Sequence, residues 1–234
     1  MVAHPGRSAL VRRYLGPYPA TSKVRTGIVS ELQKVFTGIF RNNGFGGSES
    51  ISGPGSDLAS TERLRSELPA LFRSFGINRI VDAPCGDMNW MRHVEYEFDF
   101  FIGADIVPDL ISRLRVEFPS ERIHFQTANI CEDILPQADA VFCRDCFGHL
   151  SFANIRQATR LLKLSGTRFI ITTTFPEIEN SDINAGGWRQ INLEGEPFRW
   201  PIPMKLIREN TPEREDTWTR RKCLGVWSVM SLPD

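Results

Sequence analysis

The chain has 234 residues, 41% of them hydrophobic, enough for one α/β domain with a substantial core plus small extensions. Its 28 lysines and arginines balance 28 aspartates and glutamates, so no net field would hold it on nucleic acid or an acidic membrane, and a small-molecule partner is expected, with the oligomeric state left open. Its five cysteines sit in apolar or strand-like contexts and form no disulfide framework, while no apolar run reaches the length of a membrane span or a signal core, so the expected location is the reducing cytoplasm.

Residues 1–34 read as a basic arm in which Arg7, Arg12, Arg13, Lys23 and Arg25 precede the first acid, Glu31. Such a segment suits a solvated or partner-binding arm, or an organelle-targeting sequence. The domain proper is expected over 35–234, opening with a Gly/Ser-rich loop at 44–60. Aromatic and acidic residues interrupt that loop, which marks it as a functional lid and not a plain linker. Leu64, Leu68, Leu71, Phe72 and Phe75 then recur at helical spacing up to a glycine stop at Gly76, with Pro69 expected to kink or split the helix.

From there strands and helices alternate. Strands are expected at 79–83, 100–105, near 123–127, at 139–144 and at 168–173. Helices are expected near 87–94, 108–118 and 152–164, the last capped by Ser151 and closed at Gly166. Alternation of this kind means parallel strands joined by right-handed crossovers, with helices on both faces of the sheet. The tail, broken by Pro197, Pro201, Pro203 and Pro212, offers two strand-like runs, 203–209 and 222–230, with no helix between them. Those runs predict a terminal antiparallel pair, and the whole predicts an α/β, Rossmann-like, mostly parallel sheet.

The first strand runs into Asp82-Ala83-Pro84-Cys85-Gly86-Asp87, and the second ends at Asp105, an offset of 105 − 82 = 23 residues. In a parallel α/β sheet this is the layout of an adenosyl-binding site: the turn lets the backbone approach the ligand, and the later acid accepts from the ribose hydroxyls. A nucleotide-cofactor oxidoreductase is disfavoured, because Gly-x-Gly-x-x-Gly is absent and Pro84 leaves no pyrophosphate-cradling turn.

A five-stranded parallel sheet finished by a hairpin, with an acid at each of the first two strand tips, resembles the class I S-adenosylmethionine-dependent methyltransferases. Their Asp/Glu-x-Gly-x-Gly-x-Gly turn keeps only its middle glycine here, with Pro84 and Met88 at the other two positions. The Ala-Pro-Cys-Gly-Asp variant, the upstream Glu49-Ser50-x-Ser52-Gly53-x-Gly55-Ser56 and the downstream Arg144-Asp145-Cys146-x-x-His149-Leu150-Ser151 together resemble a bacterial-type subgroup of that superfamily over roughly residues 35 to 230. The resemblance implies S-adenosylmethionine as cofactor. It places Asp82 near the cofactor ammonium, Ala83, Pro84, Cys85 and Gly86 along its methionine part, and Asp105 on the ribose. It also places Ile106 on the adenine, and Asn129 and Ile130 at the adenine edge, with the Asn129 amide oxygen accepting from the exocyclic amine.

The cluster Arg144-Asp145-Cys146-Phe147-Gly148-His149 stands at the tip of the fourth strand, where ligands bind in open α/β sheets. Arg144 is counted with the cofactor side, His149 as general base for a hydroxyl nucleophile, and Asp145 as its orienting partner or a substrate ligand. The competing reading makes His149 a cap or packing residue of the following helix. Cys143 and Cys146 read as core thiols, since no second pair completes a metal site. Glu49, Thr173, Trp188 and Arg189 are the candidate substrate ligands. Aromatic faces mixed with bidentate donors suit a polar, carbohydrate-like acceptor, although Trp188 and Trp200 serve equally well as hairpin core. The expected activity is methyl transfer to an oxygen, or a nitrogen, of a small polar acceptor. The alternative is a catalytically silent module that binds the cofactor without turnover.

Overall fold

A computed structural model of the chain describes residues 29–209 and 221–234; the basic arm up to residue 28 lies outside them. Seven strands form one sheet: β1 (Arg79–Asp82), β2 (Phe100–Asp105), β3 (Ile123–Thr127), β4 (Ala140–Cys143), β5 (Phe169–Thr174), β6 (Lys205–Arg208) and β7 (Cys223–Ser228). Their spatial order is β3-β2-β1-β4-β5-β7-β6. The first five pair in parallel, β7 runs antiparallel between β5 and β6, and the expected terminal hairpin is thus slotted beside β5.

The helices are α1 (Glu31–Arg41), α2 (Leu58–Phe75), α3 (Pro108–Glu117) and α4 (Phe152–Leu164). Buried on both faces, the central strands read as continuous apolar runs whose neighbours point opposite ways. Ile80, Phe101 and Phe142 meet α2 and α3 through Leu68, Phe72 and Leu114. Val81, Ile102 and Val141 pack against α4 through Ile155, Ala158 and Leu162. Ser151 caps α4 by accepting from the Asn154 N–H.

Three expectations change. No helix forms over 87–94: Met88 sits at φ +60°, and the Asn89 N–H turns back to the Asp87 carboxylate at 3.2 Å, which leaves one 3-10 turn at Met91–His93. Pro69 does not split α2, which runs unbroken past it; the proline removes only the bond its N–H would have made to the Arg65 carbonyl. Helix α1 begins at Glu31, within the expected arm, and α2 begins at Leu58, within the expected loop.

In this order β1 and β4 are neighbours whose chains leave in opposite directions across the sheet, which creates a crevice at their carboxyl ends. The tips of β1, β2 and β4 face that crevice, and α1 covers it. Leu32, Phe36 and Phe40, four residues apart on one helical face, all point into the resulting cavity.

Candidate functional site

One cavity of about 1200 Å³, counting its open mouth, collects most of the predicted residues. Asp82, Ala83, Pro84, Cys85, Gly86, Asp105, Ile106, Asn129, Ile130, Arg144, Asp145 and His149 all line it. Glu49, Thr173, Trp188 and Arg189 do not.

The β1 turn is built for close approach. Gly86 has φ +54°, and a side chain there would place its Cβ 2.4 Å from the Ser52 hydroxyl. Position 88, where the wider family pattern has glycine, keeps the left-handed backbone although its residue is Met88. That conformation is uncommon for a side-chain-bearing residue and persists because the surroundings impose it. Asp87 stands next to it and is held on all sides. Its carboxylate accepts from the Ser50 hydroxyl at 2.9 and 3.0 Å, the Ile51 N–H at 3.0 Å and the Ser52 hydroxyl at 3.3 Å, while its own N–H donates to Ser52 Oγ. The Gly/Ser loop is thereby stapled to the turn. Glu49 serves the same loop as a brace, accepting from the Leu58 N–H at the start of α2 at 2.9 Å and from Asn89 Nδ2 at 2.6 Å.

Two carboxyls face the cavity floor. Burial, and next the neighbouring Asp105, push the Asp82 pKa well up. Burial lifts Asp105 to about 6, against hydrogen bonds from the Val107 and Gly86 N–H groups that oppose the rise. Two adjacent buried carboxyls, one of them accepting from two backbone N–H groups, thus stand beside Arg144 in the cavity lining, and perturbed acids of this kind mark a functional cleft.

Asn129 is partly committed within the fold. Its Oδ1 already accepts from the Cys131 N–H at 3.0 Å, and because that partner is a donor the amide orientation follows from the network. The group left over is Nδ2, buried without a partner. Asn129 therefore keeps an uncommitted donor in the wall of the cavity.

At the β4 tip a charge network emerges that sequence reading missed. Arg144 donates to the Glu209 carboxylate at 2.6 and 3.1 Å and meets Asp145 at 3.1 Å. Lys222 Nζ contacts Asp145 at 2.5 Å and Glu209 at 3.3 Å. Burial alone would raise the Asp145 pKa, but Arg144 and Lys222 hold it far below the usual carboxylate range. Its left-handed backbone, φ +54°, is one that Asp tolerates better than most residues. Glu209 and Lys222 flank the β6–β7 connection, a region with no motif of its own; two charged residues in a proline-broken tail carry no sequence signal of a site.

His149 lines the cavity beside Phe45, their ring centroids 4.9 Å apart. Its Nδ1 lies 2.7 Å from the Gly187 carbonyl. A carbonyl only accepts, so Nδ1 carries the hydrogen and Nε2 the lone pair. The orienting partner is thus the Gly187 backbone and not Asp145, whose carboxylate is engaged by Arg144, Lys222 and Thr173. Burial lowers the His149 pKa, with Gly187 and Asp145 pulling it up and Arg189 and Lys222 pushing it further down.

The remaining candidates lie outside the cavity lining. Thr173 Oγ1 accepts from the Asp145 N–H at 2.9 Å. Arg189 donates to the carbonyls of Phe147 at 2.7 Å and Leu150 at 2.8 Å, bracketing the turn that carries His149. Trp188 is 49% exposed with its ring edge-on to Phe175, whereas Trp200 is core, packed on Trp227. Burial and the neighbouring Cys143 thiol push the Cys146 pKa well up.

No protein-family model and no curated protein matches the chain. Solved structures do. The 1,6-didemethyltoxoflavin N1-methyltransferase of Burkholderia thailandensis, solved with its substrate and S-adenosylhomocysteine, aligns over 84% of this chain and 86% of that one, with TM-score 0.58 and 14% identity. The magnesium protoporphyrin IX methyltransferase of Synechocystis PCC 6803, solved with S-adenosylmethionine, aligns over 87% and 99%, with TM-score 0.57 and 15% identity. The methyltransferase domain of bacterial CtHen1 aligns over 72% and 98%, with TM-score 0.53 and 13% identity. At such identities the likeness is one of fold: the chain has the Rossmann-like fold of these methyltransferases.

Proposed function

We propose that the protein is an S-adenosylmethionine-dependent methyltransferase acting on an oxygen, or a nitrogen, of a small acceptor. The observation that carries this reading is the convergence of two buried strand-tip carboxyls, Asp82 and Asp105, with the Gly86 turn in one cavity at the β1/β4 switch point. The residues fit the cofactor. Asp105 would accept from the ribose hydroxyls, Asp82 would face the ammonium directly or through water, and Ala83 to Gly86 would lie along the methionine part. Ile106 and Ile130 would flank the adenine, with the spare Asn129 Nδ2 donating to its ring. The subgroup assignment belongs to the same proposal: its two motifs are physically one unit, since Ser50 and Ser52 close on Asp87.

When bound, the cofactor supplies an electrophilic methyl group on a cationic sulfonium, so the protein has no covalent chemistry to perform. Its contribution is alignment, exclusion of water and removal of one proton. His149 is suited to removing that proton, because burial favours the neutral imidazole, the Gly187 carbonyl fixes the tautomer, and Nε2 carries the lone pair. Arg189 and the Gly186 N–H, which donates to the His149 carbonyl at 2.9 Å, hold the ring in place.

Calorimetry with S-adenosylmethionine, S-adenosylhomocysteine and NAD tests the reading. The two adenosyl sulfur compounds should bind and NAD should not. A preference for NAD, or no binding by any of them, would overturn it.

A further inference from the structure

Resting on the methyltransferase reading, we propose that the acceptor is a flat aromatic ring system with one reacting hydroxyl, stacked under the phenylalanines of α1 and Phe45 and presented to His149. Thr173, Trp188 and Arg189, the residues that would suit a sugar-like acceptor, do not line the cavity. The cavity instead has Leu32, Phe36 and Phe40 along its α1 roof and Phe45 against the His149 ring.

Hydrogen-bond accounting at the β4 tip points the same way. Among the lining residues there, Arg144 is committed to Glu209 and Asp145, and Asp145 to Arg144, Lys222 and Thr173. Leu150 is apolar. His149 alone in this group keeps a ring nitrogen to offer. A polyol entering this end would bury several hydroxyls against the Phe45 face with the His149 ring nitrogen and the Ser56 hydroxyl as its side-chain partners, and buried hydroxyls beyond those would oppose binding. An aromatic ring needs no such partners, gains offset or edge-on contact with the phenylalanines, and brings one polar atom to meet one base.

The chemistry balances with the groups at hand. His149 Nε2 takes the hydroxyl proton, the oxygen's electron pair forms the new carbon–oxygen bond, and the pair of the broken carbon–sulfur bond stays on sulfur, which becomes a neutral thioether. The proton passes from His149 to solvent.

The test is binding to protein loaded with S-adenosylhomocysteine, which separates acceptor recognition from turnover. A hydroxynaphthalene and a hydroxyquinoline serve as aromatic probes, and methyl glucoside and a nucleotide sugar as polar ones. Fluorescence titration should show saturable binding of the aromatic probes only. Phe45→Ala should weaken that binding by about tenfold or more while changing S-adenosylhomocysteine affinity by less than about threefold. With S-adenosylmethionine in place of its product, mass spectrometry should find the methyl ether of a bound aromatic probe. If the product binds but the aromatic probes do not, or if the sugars bind in their place, the acceptor class is wrong while the methyltransferase reading stands. If the product itself does not bind, both fall.

Discussion

Replacing Asp105 with asparagine should stabilise and disable the protein at the same time, with a pH signature that identifies the cause. Asp105 accepts from the Val107 N–H at 3.0 Å and the Gly86 N–H at 3.2 Å, and burial raises its pKa from 3.8 to about 6. The folded state therefore keeps this proton through a range in which the unfolded chain has lost it. Stability contributed by the protonated form is complete below 3.8, falls as pH rises through the window, and is gone above about 6. A rise of that size, at about 1.4 kcal/mol per pH unit, makes the ionised carboxylate cost on the order of 3 kcal/mol at neutral pH. Asparagine cannot ionise and avoids that slope, but its amide nitrogen opposes one of the two backbone donors, a loss of about 1–3 kcal/mol. Urea unfolding of the ligand-free proteins should show the variant gaining roughly 2 kcal/mol relative to the parent between pH 4.5 and 7. Asp82 titrates in both, but in the variant it loses the Asp105 charge that helps raise its pKa, so the pH-dependent difference reports the Asp82–Asp105 pair. Calorimetry should show cofactor affinity at least about tenfold weaker in the variant, and parent affinity declining as pH falls below about 6. A stability difference that is flat with pH, together with unchanged cofactor affinity, would refute both the burial argument and the ribose assignment.

His149→Asn should cut turnover by roughly 10²–10⁴ with cofactor affinity intact. Because burial lowers the His149 pKa, the parent rate should rise with pH through an ionisation below the ordinary 6.5 and be level above it; a rate falling over that range would exclude the residue as base. Asp87→Asn removes the charge that holds three loop donors, each worth about 1.5–3 kcal/mol, so amide exchange over 47–56 should quicken at least about tenfold in the ligand-free protein. Equal exchange would mean that the loop is held elsewhere. Lys222→Met leaves Asp145 and Glu209 to share Arg144 and should destabilise by up to about 3 kcal/mol. Adding Glu209→Gln to that variant should recover part of the loss in urea unfolding, and a purely additive loss would argue against the network.

The legible part of this protein is what short-range chemistry controls. Asp82, Gly86 and Asp105 stand out because a buried strand, a tight turn and an acid at the next strand tip are local patterns. Parallel β-α-β winding then brings those tips together with little freedom left to the chain. His149 was legible for the same reason, at the end of the fourth strand of the same series. Only the tertiary structure decided what surrounds these groups. Glu209 and Lys222 reach the β4 tip from 65 and 77 residues away, through the antiparallel insertion of β7 beside β5. Leu32, Phe36 and Phe40 become a cavity roof only because α1 crosses the switch point. Arg189 shows the limit most plainly: a guanidinium that would clamp a ligand equally clamps the carbonyls of Phe147 and Leu150. Which of these it does depends on where the chain folds back, because its five donors look the same from the sequence whatever they meet.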